Sequence, residues 1–288
     1  LLASVSSAAA VDVKRVVSPG GIEAWLVTDH SVPVVSFEFD MLGGASLDPA
    51  GREGLAAMVS STIDEGAGDL DSQAFQGRLE DLAITLRFDA GRDSISGKMK
   101  TLTENLDEAF RLMQLAVTEP RFDAEPVDRI RSQYLSILAR QQDDPNYLAT
   151  RAWWAAAYPD HPYARTDDGT EEGLKAITAE DMHGFVRTQF ARDRLRIGVA
   201  GDIEPARLAA LLDRTFGALP ASRGPIEVPD ADAQVAGDVF VIGRDVPQSV
   251  ARFGHRGIPR NDPDWYAALV MNGILGGGTF TSWLYREI

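Results

Sequence analysis

The chain has 288 residues, 44% hydrophobic and 25% charged, ample for a large buried core. A formal net charge of -15 excludes nucleic acid and anionic membrane surfaces as partners, because both need clustered Lys and Arg; the acidity serves solubility. With no cysteine, thiol catalysis, thiolate metal sites and disulfides are excluded as well, and no apolar run approaches the roughly 18 residues of a membrane span.

Leu1 to Ala10 is small and apolar, with Ala8 and Ala10 in the A-x-A pattern of a signal-peptidase site. It reads as the tail of a secretory signal and implies a periplasmic or otherwise exported protein. Ile22 to Thr28 and Val34 to Met41 read as strands parted by Val32-Pro33, and in the second Phe37, Phe39 and Met41 alternate with Ser36, Glu38 and Asp40, so one face is buried. A helix follows from about Arg52 to Asp64. Asp71 caps another, whose Phe75, Leu79 and Leu82 share a face. Ile84, Leu86 and Phe88 alternate before Gly91 and Ile95 to Met99 return, which makes a hairpin.

Helices are expected at about 104–118, 124–142, 145–157 and 179–190, then a strand carrying Leu195, Ile197 and Val199, then a helix from Pro205 to Phe216. In the second of these helices Val127, Ile130, Tyr134 and Ile137 recur at spacings of three, four and three, the mark of a buried stripe. Strands and helices grouped in runs predict an α+β fold: a largely antiparallel sheet with helices packed on one face.

Residues 218–234, with Pro220, Gly224, Pro225 and Pro229, read as a linker. Beyond it the opening of the chain recurs. Val246-Pro247 lies between two strand-like runs, and Ala267-Ala268-Leu269-Val270, Ile274 and Gly277 match Ala56-Ala57-Met58-Val59, Ile63 and Gly66 at a constant offset of 211. The expected organisation is a signal tail at 1–10, a first α+β domain at 11–217, a linker at 218–234 and an incomplete second copy at 235–288.

His30, His161, His183 and His255 are scattered, with no pair at the i, i+3 or i, i+4 spacing that sets two ligands on one helical face. His161 is expected to be a structural hydrogen-bonding residue. Ser60 and Ser61 have no base nearby in sequence and read as small packing residues. Gly276 to Gly278 has no Lys after it to make a phosphate loop. Asp64-Glu65 and Asp143-Asp144 read as solvated helix ends.

The run Gly51-Arg-Glu-Gly-Leu-Ala-Ala-Met-Val-Ser-Ser-Thr-Ile-Asp-Glu-Gly66 resembles the signature helix of the pitrilysin and insulinase family of zinc peptidases, whose members include mitochondrial processing peptidase. Ala45-Ser46-Leu47-Asp48 before it, His161-Pro162-Tyr163 with Gly169-Thr170, and Leu275-Gly276-Gly277-Gly278 leading into Ser282-Trp283-Leu284-Tyr285-Arg286-Glu287 resemble further segments of that family in the same order. The resemblance implies the family's duplicated α+β fold and places its H-x-x-E-H motif on Ala57, Ser60 and Ser61. From the helix start Phe122-Asp123-Ala124-Glu125 it places two later carboxylates on Ile130 and Ile137. A methyl, two hydroxyls and two apolar side chains stand where two imidazoles and three carboxylates are needed, and zinc is held by His, Cys or carboxylate.

By resemblance, then, the chain is a noncatalytic subunit that binds no zinc or other cofactor. It pairs as a heterodimer with a zinc-bearing relative and helps to enclose peptide substrates. In active members the peptide adds beside an edge strand, which implies a peptide-binding segment at Leu86, Arg87, Phe88, Asp89 and Ala90. The alternatives are an active zinc peptidase with displaced ligands and a peptide-holding or assembly module without a peptidase partner.

Overall fold

Alternating apolar and polar residues build six strands, and amphipathic helices cover one side of them. The computed structural model describes residues 12–226, 228–234, 237–278 and 280–287; the expected signal tail at 1–10 lies outside them. Among these residues the order is β1 (Lys14–Val17), β2 (Glu23–Thr28), β3 (Val34–Leu42), α1 (Leu55–Thr62), α2 (Ser72–Asp81), β4 (Thr85–Ala90), β5 (Ser94–Leu102), α3 (Leu106–Thr118), α4 (Ala124–Gln141) and α5 (Pro145–Ala157). Then come α6 (Glu171–Ala176), α7 (Ala179–Gln189), β6 (Leu195–Gly201), α8 (Pro205–Phe216), α9 (Trp265–Asn272) and α10 (Trp283–Glu287). This is the expected α+β arrangement. No helix among the described residues is long and apolar enough to cross a membrane.

The sheet order is β1-β2-β6-β3-β5-β4. Only the β2–β6 pairing is parallel. On β3 Val35, Phe37, Phe39 and Met41 are buried, and Phe37 meets Phe110 of α3 edge-on at 5.1 Å while Phe39 meets Phe216 of α8 at 5.3 Å. The opposite face is polar, with Lys98 and Glu38 paired at 3.2 Å across β5 and β3. Phe39 and Gly97 are register partners, and a Cβ on Gly97 would fall 2.2 Å from the Phe39 ring. Gly97→Ala is therefore expected to cost about 1–3 kcal/mol through forced repacking, measured by urea unfolding; a change below about 0.5 kcal/mol would contradict this packing.

Local chemistry fixes the helix starts. The Asp71 carboxylate accepts from the Ala74 N–H at 2.8 Å, Asp144 accepts from Asn146 ahead of Pro145 at the first turn, and Thr178 with Asp181 forms a reciprocal capping box on α7. Several expectations need correction. Strand β1 and the short helix α6 were not foreseen. The start of the expected linker is tied to the domain, since Leu219 is buried and Arg192 donates its N–H to the Pro220 carbonyl at 2.9 Å. The two runs flanking Val246-Pro247 form no strand among the described residues, and Val239, Phe240 and Val241 are exposed, because a strand needs ladder partners and none of β1–β6 supplies them. Helix α9 stands at the positions that the 211-residue offset pairs with α1.

A further correction concerns α4. Its buried stripe is Val127, Ile130, Tyr134 and Leu138, with Tyr134 only partly covered, whereas Ile137 is 37% exposed. Over the eleven residues from Val127 the 100° helical step brings residue 138 back onto the stripe and leaves 137 at its margin.

Candidate functional site

The backbone that presents α1 is held by a buried carboxylate. Asp48 accepts from the N–H groups of Gly54 at 2.8 Å and Ala56 at 3.0 Å, satisfying donors that the first turn leaves open. Burial pushes the Asp48 carboxyl up to about 6, against the pull of these backbone hydrogen bonds. Arg165 donates to the carbonyls of Asp48 at 2.8 Å and Ser46 at 3.1 Å, tying the segment after His161-Pro162-Tyr163 to the same turn. Gly54, at φ 99°, lies against Gly169: a Cβ on Gly54 would fall 3.0 Å from the Gly169 Cα, and one on Gly169 only 2.6 Å from the Glu53 carbonyl. That contact is a physical reason for glycine in the Gly169-Thr170 pair.

Positions 57, 60, 61 and 64 share one face of this helix at i, i+3, i+4 and i+7. Ala57 and Ser60 are buried, at 5% and 2% exposure. The Ser60 hydroxyl donates back to the Ala57 carbonyl at 3.0 Å. The Ser61 hydroxyl shares a 2.8 Å hydrogen bond with the Tyr134 hydroxyl of α4, and burial raises the Tyr134 phenol above its ordinary value. Neither serine meets a base, so neither is activated as a nucleophile.

The donor set does not fit zinc. Ala57 and Ile137 carry no ligand atom, Ser60 and Ser61 are hydroxyls already engaged, and the described residues contain no group of three His, Cys, Asp or Glu side chains able to hold a metal ion. The histidines stand apart. His30 contacts Asp202 at 2.5 Å, His183 packs edge-on against Phe122 at 5.0 Å, and His255 contacts the Arg256 carbonyl at 2.6 Å. His161 accepts from the Tyr163 N–H at 3.1 Å and contacts the Pro229 carbonyl at 2.8 Å, the expected hydrogen-bonding role.

Asp64 and Glu65 depart from the solvated ends expected of them. Asp64, just past α1, is half-buried, and burial followed by its repulsion from Glu65 pushes its carboxyl up to about 7. Glu65 is held by Arg129 at 2.6 Å and by the Ser72 hydroxyl at 2.5 Å. Sequence reading missed the partners of this face, because Tyr134 and Asp48 are joined to α1 by the fold and not by spacing.

Strand β4 is an edge of the sheet with β5 as its ladder partner. Leu86 and Phe88 point into the core, Arg87 and Asp89 are exposed and Ala90 is half-buried. Helix α1 packs on both β4 and α4, so the Ala57–Ser61 face, the α4 surface and the sheet edge are neighbours.

An α+β domain with a six-stranded sheet, in which Ala57, Ser60, Ser61 and Ile137 offer no imidazole or carboxylate, resembles a peptidase M16 domain of the pitrilysin and insulinase type. Residues 176–288 match the family described as Peptidase M16 inactive domain. The chain is 25% identical over 261 residues to the non-peptidase homolog YmxG of Helicobacter pylori, covering 90% of this chain and 60% of that one. It is 20% identical over 241 residues to the mitochondrial-processing peptidase subunit beta of Saccharomyces cerevisiae, covering 81% and 51%. In fold it resembles the crystal structure of a peptidase M16 inactive domain from Pseudomonas fluorescens, at a TM-score of 0.82 and 24% identity over 96% of this chain and 67% of that one. The chain thus spans about half to two thirds of the length of the proteins it matches. The resemblance read from its residues is borne out: the chain is an M16-like peptidase homologue.

Proposed function

We propose that the protein is a noncatalytic M16-type subunit that pairs with a zinc-bearing relative and helps to enclose extended peptides for it. One observation carries this reading: every position that would supply a ligand or the water-activating carboxylate is chemically silent, and the one half-exposed hydroxyl on α1 is satisfied by Tyr134. The yeast relative bears the name of one subunit of a peptidase, and the Helicobacter pylori relative is named a non-peptidase homolog. Zinc belongs to the partner. The peptide lies against β4, whose outer edge offers backbone N–H and C=O groups to an added strand. The Ala8 and Ala10 pattern supports an exported location, and the α9 repeat supports a second M16-type unit opening at 235.

The test uses full-length protein purified without chelators, alone and coexpressed with a zinc-bearing relative from the same source. Expected alone are no stoichiometric zinc by mass spectrometry and no cleavage of a mixed peptide library. The pair is expected to comigrate in light scattering and to cleave faster than the relative alone. One zinc per chain with chelator-sensitive cleavage would overturn the noncatalytic reading. Unchanged activity of the relative would overturn the partnership.

A further inference from the structure

We infer that the edge strand β4 selects extended peptides by charge order: a basic residue, any residue, then an acidic residue, lying antiparallel to Arg87-Phe88-Asp89. This rests on the reading of β4 as the peptide's edge. At the hairpin end Gly91 donates its N–H to the Ser94 carbonyl at 2.8 Å. By the alternation of an antiparallel ladder Asp89, Arg87 and Thr85 then also bond to β5. Leu86, Phe88 and Ala90 turn their backbone N–H and C=O groups outward, and no hydrogen bond among the described residues meets them. A strand added there forms its hydrogen-bonded pairs with these residues. Arg87 and Asp89 fall at the intervening positions, where facing side chains approach most closely.

Neither charge is answered within the sheet. Arg87 and Asp89 are exposed and have no ion pair among the described residues. The residue opposite Arg87 on β5 is Lys98, a like charge already held by Glu38 at 3.2 Å, and the diagonal neighbour Lys100 is a further exposed cation without an ion pair among the described residues. Opposite Asp89 stands Ser96, and beyond it on β3 lies Asp40, another carboxylate. The outer face at this edge is therefore cationic along one row and anionic along the next. An antiparallel strand reaches Asp89 first and Arg87 two residues later. Lysine or arginine, followed after one residue by glutamate or aspartate, meets an opposite charge at both places, and the reversed order meets like charges at both. β4 itself reads in the favoured order, but two chains of net charge -15 repel, so the occupant is a separate peptide and not a second copy.

Fluorescently labelled nonapeptides of equal composition, with a central Lys-Thr-Glu or Glu-Thr-Lys in an otherwise uncharged sequence, would be titrated into the full-length protein and followed by anisotropy. At low salt the Lys-Thr-Glu peptide should bind about tenfold more tightly, two attractive pairs replacing two repulsive ones, and about 1 M salt should close the gap. Arg87→Asp combined with Asp89→Arg, both at exposed positions, should reverse the preference, and Arg87→Gln with Asp89→Asn should erase it. Equal binding of the two orders by the parent, a preference for Glu-Thr-Lys, or a preference untouched by the substitutions would overturn the charge order and leave strand addition standing. A dimer in light scattering that the Lys-Thr-Glu peptide does not disperse would make a second copy the occupant and overturn the proposal. Methylating alternate backbone nitrogens of the Lys-Thr-Glu peptide should abolish binding; if it does not, or if neither peptide binds, the edge-strand reading fails and the charge order with it.

Discussion

Ser60→Glu, which restores the family's water-activating carboxylate alone, is expected to destabilise the protein by about 3–5 kcal/mol. Ser60 is 2% exposed and its hydroxyl already returns to the Ala57 carbonyl, so a glutamate there would be a buried charge without a cation, or a neutral acid in a space sized for serine. Ile137→Glu places the later carboxylate that the resemblance implies on α4, yet at 37% exposure it should cost no more than about 1 kcal/mol. Urea unfolding of the two variants beside the parent measures both values. Equal costs would mean that the two faces are not buried as described. The contrast also revises what the sequence alone implied, that a carboxylate at 137 would be the expensive step; the obstacle to rebuilding a metal centre lies on α1.

Asp64→Asn should stabilise the protein at pH 8 and leave it unchanged at pH 4. Burial lifts the folded-state carboxyl to about 7, above the ordinary unfolded value of about 3.9. The folded chain therefore holds this proton more tightly than the unfolded chain. The group's contribution to stability is complete below about pH 4 and is lost as pH rises through about 7. Its place past the end of α1, where the last carbonyls are negative, adds in the same direction. A shift of that size corresponds to at most about 4 kcal/mol, and the part of the residue open to water brings the expected gain for asparagine at pH 8 to about 2 kcal/mol. Thermal unfolding of both proteins from pH 4 to pH 8 should show curves that converge at the acid end. Parallel curves would show that Asp64 is solvated.

How far the residues foretold this structure depends on whether the deciding contact is near or far in sequence. The alternation of Phe37, Phe39 and Met41, the Asp71 cap and the Pro205–Phe216 helix were legible because strand period, capping and helical amphipathicity are local properties. Strand β1 escaped because only Val16 of its four residues is buried, and α6 because six residues span too few turns to show a period. At Ile137 and Leu138 two apolar residues are adjacent and periodicity cannot choose between them; packing against the core does. That Ala57, Ser60, Ser61 and Ile137 carry no imidazole or carboxylate was plain in the sequence. The hydrogen bond that closes that face was not, since Ser61 and Tyr134 lie 73 residues apart.

The strand order has a kinetic consequence. β1 and β2 join the rest of the sheet only through β6, which enters between β2 and β3 and is the last of the six described strands to be synthesised. While residues before Leu195 are being made, β4 and β5 can form a local hairpin and β3 can pair beside β5, but the first hairpin has no ladder to join. Nucleation of the whole sheet must then wait for a contact spanning more than 160 residues, as in the Phe37–Val199 pairing. Such late closure makes folding slow and leaves unpaired edges open during synthesis, so a nascent chain stalled just short of β6 would be the species most in need of a chaperone.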